Sequence, residues 1–436
     1  MKTKLTAILA ALLILLLPLF AAAEQAEQPK AYTLDRVVVL SRHNIRSPLT
    51  DGGSLLGEIT PHTWFNWTSA SGELSLKGAM LEVLMGEYFR LWLEDEGLIP
   101  ANWQPDEKAA RFYANAKQRT QATARYFSAG LLPVSVVPIE MHVAYDTMDE
   151  TFTPKLRFVS DAYTEAALEE IAEMGGENGI AGFSERLKDA VALLMDITDM
   201  EESEAYQSGK YGDLLNGETV ITLEQDKEPG MSGPVKTATS VADALKFQYY
   251  EEADELKAAF GHELTREDWQ AICGIVETYG AMLFTAPLIA VNAAHPLLQE
   301  IKSELEQEGR VFSFLCGHDS NLASVLAALN AEDYTLPDTL EPKTPIGGKL
   351  VFERYLDANG EAWYKIEMIY QSTEQLRNRT PLSLENPPMR IPLALKGVPV
   401  NADGFIAEKD LLDRFQEAID AYDLLPEEYA DLAEAA

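Results

Sequence analysis

Side chains able to act on an anion occur at three separate points of this sequence. Arg42, His43 and Arg46 fall within "SRHNIRSP", Arg119 within "QRTQATARYF", and His318 and Asp319 within "GHDSN". The background is acidic, with 70 Asp and Glu against 35 Lys and Arg, and only six histidines. Two arginines and a histidine within Arg42–Arg46, just after the apolar run Val37 to Leu40, therefore call for a chemical reason. Arginine offers paired donors that match two oxygens of a tetrahedral phosphate, and a helix N-terminus adds backbone donors. A neutral imidazole among fixed cations has its proton affinity lowered, which keeps a lone pair free for attack on phosphorus. Transfer to nitrogen and then to water would split a difficult ester hydrolysis into two easier steps. Asp319 could protonate the leaving oxygen and, once ionised, accept a proton from the attacking water.

Those residues meet only if the elements carrying them are neighbours. All three points share one order of parts: a short apolar strand, a polar turn, then a helix. "DRVVVL" and "SRHNIRSP" precede a helical stretch in which Leu76, Met80, Leu84 and Tyr88 recur every four positions. "RFYA" precedes "QRTQATARYFSAGL", a helix closed by Gly130 and Pro133. A strand from Val311 to Cys316 precedes a helix from about Asn321. Such alternation predicts an α/β sheet covered on both faces, with ligands beyond the carboxyl ends of its strands. Residues 146–294 read as mainly helical, with Thr265 and Asp268 marking a capped helix start. They are expected to form a smaller α-helical domain inserted into an α/β domain built from residues 24–145 and 295–436. The runs "GGKLVFERYL" and "YKIEMIYQ" return to strand, joined by an Asp-x-Asn-Gly turn.

Bulk properties narrow the partners. The chain has 436 residues, 47% hydrophobic and 24% charged, a globular composition. Lys2 and Lys4, the apolar run Leu5 to Phe20 and Ala21-Ala22-Ala23 have the layout of a signal peptide over residues 1–23. Pro18 and the short span fit a membrane anchor poorly. An exported protein, periplasmic or secreted, is therefore expected. Loss of the two lysines would take the net charge from −35 to −37, which excludes nucleic acid and anionic membranes as partners. Cys273 and Cys316 could pair or remain buried thiols, and neither has the spacing of a zinc ligand. His62, His142, His262 and His295 lack matching charged neighbours and are given no role. Trp64 and Trp67 read first as core, with a substrate mouth as the alternative. Glu228, in "EPGMSGP", could hydrogen-bond sugar hydroxyls or be a solvated loop acid.

"SRHNIRSP" resembles the Arg-His-Gly-x-Arg-x-Pro signature of the histidine acid phosphatases, and "GHDSN" resembles their downstream His-Asp motif. "YANAKQRTQATARYF", "TMDETFTP", "EPGMSGPVK", "TPIGGKLVF" and "YQSTEQLRN" are similar to the bacterial periplasmic glucose-1-phosphatase branch of that family. The resemblance implies His43 as the phosphorylated nucleophile and Asp319 as proton donor, with Arg42, Arg46, Arg119 and His318 as phosphate ligands. It also implies a phosphoglycerate-mutase-like α/β sheet with an inserted helical domain, and neither metal nor other cofactor. Asn44 stands where the general signature has glycine, a change that the branch shares.

The expected partner is thus a small phosphate monoester, either a sugar phosphate or an inositol phosphate. Between these, the first motif's flank "SPLTDGGSLLGEITP" holds Asp51 and Glu58 but no Lys or Arg, which leans away from the many-phosphate phytate. A rival of another class, an exported sugar-phosphate binding protein, gains nothing from Asp319, whose negative charge would repel the bound anion. A mutase-like phosphotransferase would share the Arg-His start.

Overall fold

Val37, Val38, Val39 and Leu40 are all fully buried, because the strand that carries them has apolar layers on both sides. In the computed structural model, which describes residues 31–49 and 55–430, this strand is β1 (Tyr32–Arg42). The expected signal peptide and Asp51 lie outside the described residues. The other strands are β2 (Ala110–Ala114), β3 (Val220–Thr222), β4 (Gly230–Ser232), β5 (Phe312–Gly317), β6 (Lys349–Asp357), β7 (Ala362–Tyr370), β8 (Met389–Pro392) and β9 (Ile406–Ala407). The longer helices are α1 (Leu76–Asp95), α2 (Gln118–Leu131), α3 (Asp161–Gly175), α4 (Ile180–Ile197), α5 (Pro234–Glu251), α6 (Arg266–Phe284), α7 (Pro287–Glu306), α8 (Asp319–Ala328) and α9 (Glu408–Glu428).

The main sheet has the order β2-β5-β1-β6-β7-β8, with β9 beside β7. Only β2, β5 and β1 run parallel, and they are the three strands of the strand-turn-helix units. The rest is antiparallel, and β6 and β7 form the expected hairpin. In its turn the Asp357 carboxylate accepts from the backbone N–H of Asn359 and Glu361. Strand periodicity divides β1 between two cores. Val38 and Leu40 pack with Leu298 and Ile301 of α7, Leu322 and Val325 of α8, and Phe415 of α9. Val37 and Val39 face Phe89 and Trp92 of α1 and Phe127 of α2.

Two helical expectations need correction. Helix α1 exists, and the Ser75 hydroxyl caps it by accepting from the Gly78 N–H. Its buried face is Leu81, Met85, Tyr88, Phe89, Trp92 and Leu93; of the four-residue row, Tyr88 is in the core and Leu84 packs against it, whereas Leu76 and Met80 are exposed. A step of four residues overshoots a turn of 3.6, so a row taken every four positions drifts around the helix. Gly130 does not close α2 but lies inside it. A Cβ on Gly130 would sit 2.2 Å from the Val83 carbonyl oxygen, and one on Gly86 would sit 2.1 Å from that of Phe127. The two glycines let α1 and α2 pack backbone to backbone.

From α3 to the start of α7 the regular elements are helices apart from the β3–β4 hairpin. Thr265 and Asp268 form the expected capping box at α6. Helices α6 and α7 meet at an 84° bend before Pro287. Helix α7 links two cores: Ile289 packs with the helical region, and Ala294 to Leu305 pack on the sheet. Cys273 and Cys316 are both buried and unpaired, in separate cores. Trp64 and Trp67 pack against the core that holds α4, α5 and α6. Among the described residues no single helix is long and apolar enough to cross a membrane.

Candidate active site

The register of the parallel strands aligns their carboxyl ends. Arg42 of β1 lies beside Gly317 of β5, and Ala114 of β2 lies beside Cys316. One residue further on, the His43 N–H donates to the Gly317 carbonyl and the Asn115 N–H to that of Cys316. His43, Asn115 and His318 therefore line up along one sheet edge. Helix α2 starts next to Arg119, and α8 starts at Asp319.

The residues singled out in the sequence converge here. The His43 and His318 rings are 5.6 Å apart, edge to face. Arg119 Nη2 lies 3.4 Å from His318 Nδ1, and Arg42 Nη2 lies 3.0 Å from Asp319 Oδ2. Arg42, His43, Arg46 and His318 are buried, whereas the Asp319 side chain is 43% exposed at the crater's open side. Glu228 sits in the exposed β3–β4 connection, within range for the charges of Arg119 and Asp319 to act on its carboxyl. The four remaining histidines each lie beside a carboxylate instead: His62 by Asp199, His142 by Glu140, His262 by Asp196 and His295 by Asp423.

Hydrogen bonds fix the state of both site imidazoles. His43 Nδ1 is 2.8 Å from the Asn44 carbonyl oxygen, which can only accept. The proton of the neutral ring thus sits on Nδ1, and Nε2 keeps its lone pair. Burial, followed by the charges of Arg119, Arg46, His318 and Arg42, holds the His43 proton affinity well below the ordinary histidine range. At His318 the order of nitrogens is reversed. The Asp149 N–H donates to Asn115 Oδ1, which turns Asn115 Nδ2 toward His318 Nε2 at 2.7 Å. Both ring nitrogens face donors, and Nε2 accepts the shorter contact, which leaves the proton on Nδ1. The 3.4 Å approach of Arg119 Nη2 to Nδ1 is then a meeting of two donors that an oxyanion accepting from both would relieve.

Several participants carried no recognisable local pattern. Asp243 and Lys246 come from α5, and Glu341 comes from the loop before β6. Arg46 pairs with Asp243 at 3.0 Å and lies over the Phe247 ring. Arg42 pairs with Glu341 at 2.8 Å and also donates to the Thr344 carbonyl. Lys246 reaches Glu341 at 3.0 Å and Asp243 at 3.2 Å. Charged side chains inside the apolar face of "SVADALKFQYY" were the one available signal. Beneath the crater, Glu82 and Lys349 form a fully buried pair at 3.1 Å, and Asn44 Nδ2 donates to the same carboxylate at 2.7 Å. Asn44 also lies against Gly347, whose φ is +65° and where a Cβ would sit 2.5 Å from Asn44 Nδ2. Asn44 is thus a tether for the turn that carries His43.

The electrostatics suit an oxyanion. Burial tends to depress the Arg42 guanidinium, but Asp319 and Glu341 more than offset it and hold it protonated. Burial beside Arg46 presses Arg119 down to about 10. Burial opposes ionisation of Asp319, yet Arg42, Lys246 and Arg46 together hold its carboxyl well below the usual carboxylate range. Arg42, Arg46 and Arg119 each keep a buried Nε–H with no protein acceptor among the described residues, a costly condition that phosphate oxygens would relieve.

Comparison with known proteins agrees with this chemistry. The profile of the Histidine phosphatase superfamily (branch 2) matches residues 33–371. The chain belongs to that family. It is accordingly a histidine acid phosphatase, a phosphoric monoester hydrolase. The glucose-1-phosphatase of Salmonella typhimurium is 37% identical over 407 residues, covering 92% of this chain and 95% of that protein. The phytase AppA of Escherichia coli is 27% identical over 411 residues, covering 90% and 93%. Among solved structures, Hafnia alvei phytase in complex with tartrate superposes with a TM-score of 0.81 at 26% identity, covering 90% of this chain and 98% of that one. This histidine phosphatase therefore shares its α/β sheet and accompanying helices with those enzymes.

Proposed function

We propose that the enzyme hydrolyses small sugar phosphates, with glucose 1-phosphate favoured, through a phosphohistidine on His43. The observation that carries this reading is the His43 Nδ1 contact with the Asn44 carbonyl, which leaves Nε2 free inside a ring of cations. Arg42, Arg46, Arg119 and the His318 Nδ1–H hold the three non-bridging oxygens. Nε2 attacks phosphorus, the ester P–O bond breaks, and Asp319 gives its proton to the departing sugar oxygen. The resulting carboxylate then takes a proton from water as that water attacks phosphorus. The P–N bond breaks and its electron pair returns to Nε2.

Asp319 must gain a proton before the first step, although Arg42 keeps it ionised in the free protein. An arriving phosphate competes for the Arg42 guanidinium and sets its own negative charge beside the carboxylate. Both effects raise the carboxyl's proton affinity, so a phosphate monoanion can bring in the proton that the leaving group needs.

The sugar preference rests on the two relatives named glucose-1-phosphatase at 37% identity and on the mouth's charge. Lys117 is matched with Asp146 and Lys155 with Glu150, whereas Lys236, whose charge also acts on Glu228, contacts Tyr279 and has no carboxylate partner among the described residues. Glu228 adds a carboxylate that can accept from sugar hydroxyls and that opposes further phosphates. The second reading, a phytase, draws on the 27% identical phytase. Comparing kcat/KM for the two substrates decides: glucose 1-phosphate is expected to be the better one, and a much larger value for phytate would reverse the assignment. We further propose export to the periplasm or medium, on the Lys2 to Ala23 layout, and treatment of residues 146–294 as an inserted domain.

A further inference from the structure

We propose that Glu277 of α6 sets the alkaline limit of anion binding at the crater, as a positioning residue acting beside Arg42. This rests on the reading of the crater as a phosphate site. The Thr344 hydroxyl donates to Glu277 Oε1 at 3.3 Å, and the carbonyl of the same Thr344 accepts from Arg42. Glu277 therefore stands one residue behind a guanidinium assigned to phosphate, on the side that Glu341 already occupies.

Charge balance gives this position its consequence. Within the crater, Arg42, Arg46, Arg119 and Lys246 face the carboxylates Asp243, Asp319 and Glu341, a single positive charge in excess while both imidazoles are neutral, with Glu228 a further carboxyl outside this set at the mouth. A proton on Glu277 preserves that excess, and its loss brings the balance level. The groups acting on Glu277 are Lys246 from α5, Arg42 from β1, Asp319 from α8, Glu341 and Tyr334 from the loop before β6, and Cys273 from its own helix. Burial, with Glu341 adding to it, pushes the Glu277 carboxyl up to about 7. Below that pH the group is neutral and the crater attracts anions. Above it, a fourth carboxylate opposes them.

Sulfate separates this effect from the titration of a substrate, because its charge stays constant over the range concerned. Calorimetric titration of sulfate into the enzyme between about pH 5.5 and about pH 8.5 should show roughly a tenfold loss of affinity, with its midpoint near neutrality. Glu277→Gln should match the wild-type affinity at the acid end and keep it throughout, whereas Glu277→Asp should retain a loss on going alkaline. A flat wild-type profile, or a Gln variant that weakens in parallel with the wild type, would overturn the proposal. Failure of sulfate to bind at the acid end would remove the phosphate-site reading itself, a different outcome from binding without the Glu277-dependent limb.

Discussion

At the scale of the residue, the site depends on which nitrogen or oxygen holds a proton. The Asn44 carbonyl and the Asn115 amide give two neighbouring imidazoles opposite tautomers, one presenting a lone pair and the other an N–H. In the proposed mechanism Asp319 is the proton carrier, and its side chain is half open to the mouth, where a leaving group would depart. Its amide, Asp319→Asn, keeps the size and loses the transferable proton. Turnover of glucose 1-phosphate should fall about 100-fold or more, while p-nitrophenyl phosphate, whose leaving group departs with little protonation, should lose far less. Steady-state rates on both substrates check this, and equal losses would remove Asp319 from the proton-donor role.

At the scale of the element, three parallel strands in register deliver the crater, and two helices begin at its edge. These units were legible because a strand buried on both faces reads as an apolar block, as Val37 to Leu40 does and as Val311 to Cys316 does apart from Ser313. Arg42, His43, Arg46, Arg119, His318 and Asp319 stood beside those blocks and could be placed. Asp243 and Lys246, which share α5, and Asn115, Glu277 and Glu341 from other elements could not, because each acquires its role only through packing. Gly86 and Gly130 were obscure for a related reason: their value lies in what the facing helix places opposite them. Gly86→Ala tests that contact. The new methyl group must displace the Phe127 carbonyl, so α1 and α2 should separate at a cost of about 1–3 kcal/mol, outweighing alanine's better helix propensity. Urea unfolding would register this as a lower midpoint, and an unchanged midpoint would contradict the close packing.

At the scale of the whole molecule, a cationic crater is set in a chain of net charge −35. The buried cations act over a few ångströms, while the acidic surface acts over the screening length of the solution. A substrate with one phosphate meets mainly the crater, whereas one with many phosphates also meets the surface around it. Raising ionic strength from about 10 mM to about 150 mM should therefore increase kcat/KM for phytate relative to that for glucose 1-phosphate. A ratio that falls with salt would mean that the mouth is electropositive beyond the crater.

The central claim is that His43 Nε2 carries the phosphoryl group. Rapid quenching of the enzyme with radiolabelled substrate under alkaline conditions, followed by peptide mapping, tests it directly. The expected product is one phosphoryl group per chain on Nε2 of His43, with no label in the folded His43→Ala variant, which should also lack turnover. Label on another residue, or full turnover with an unlabelled His43, would contradict the mechanism.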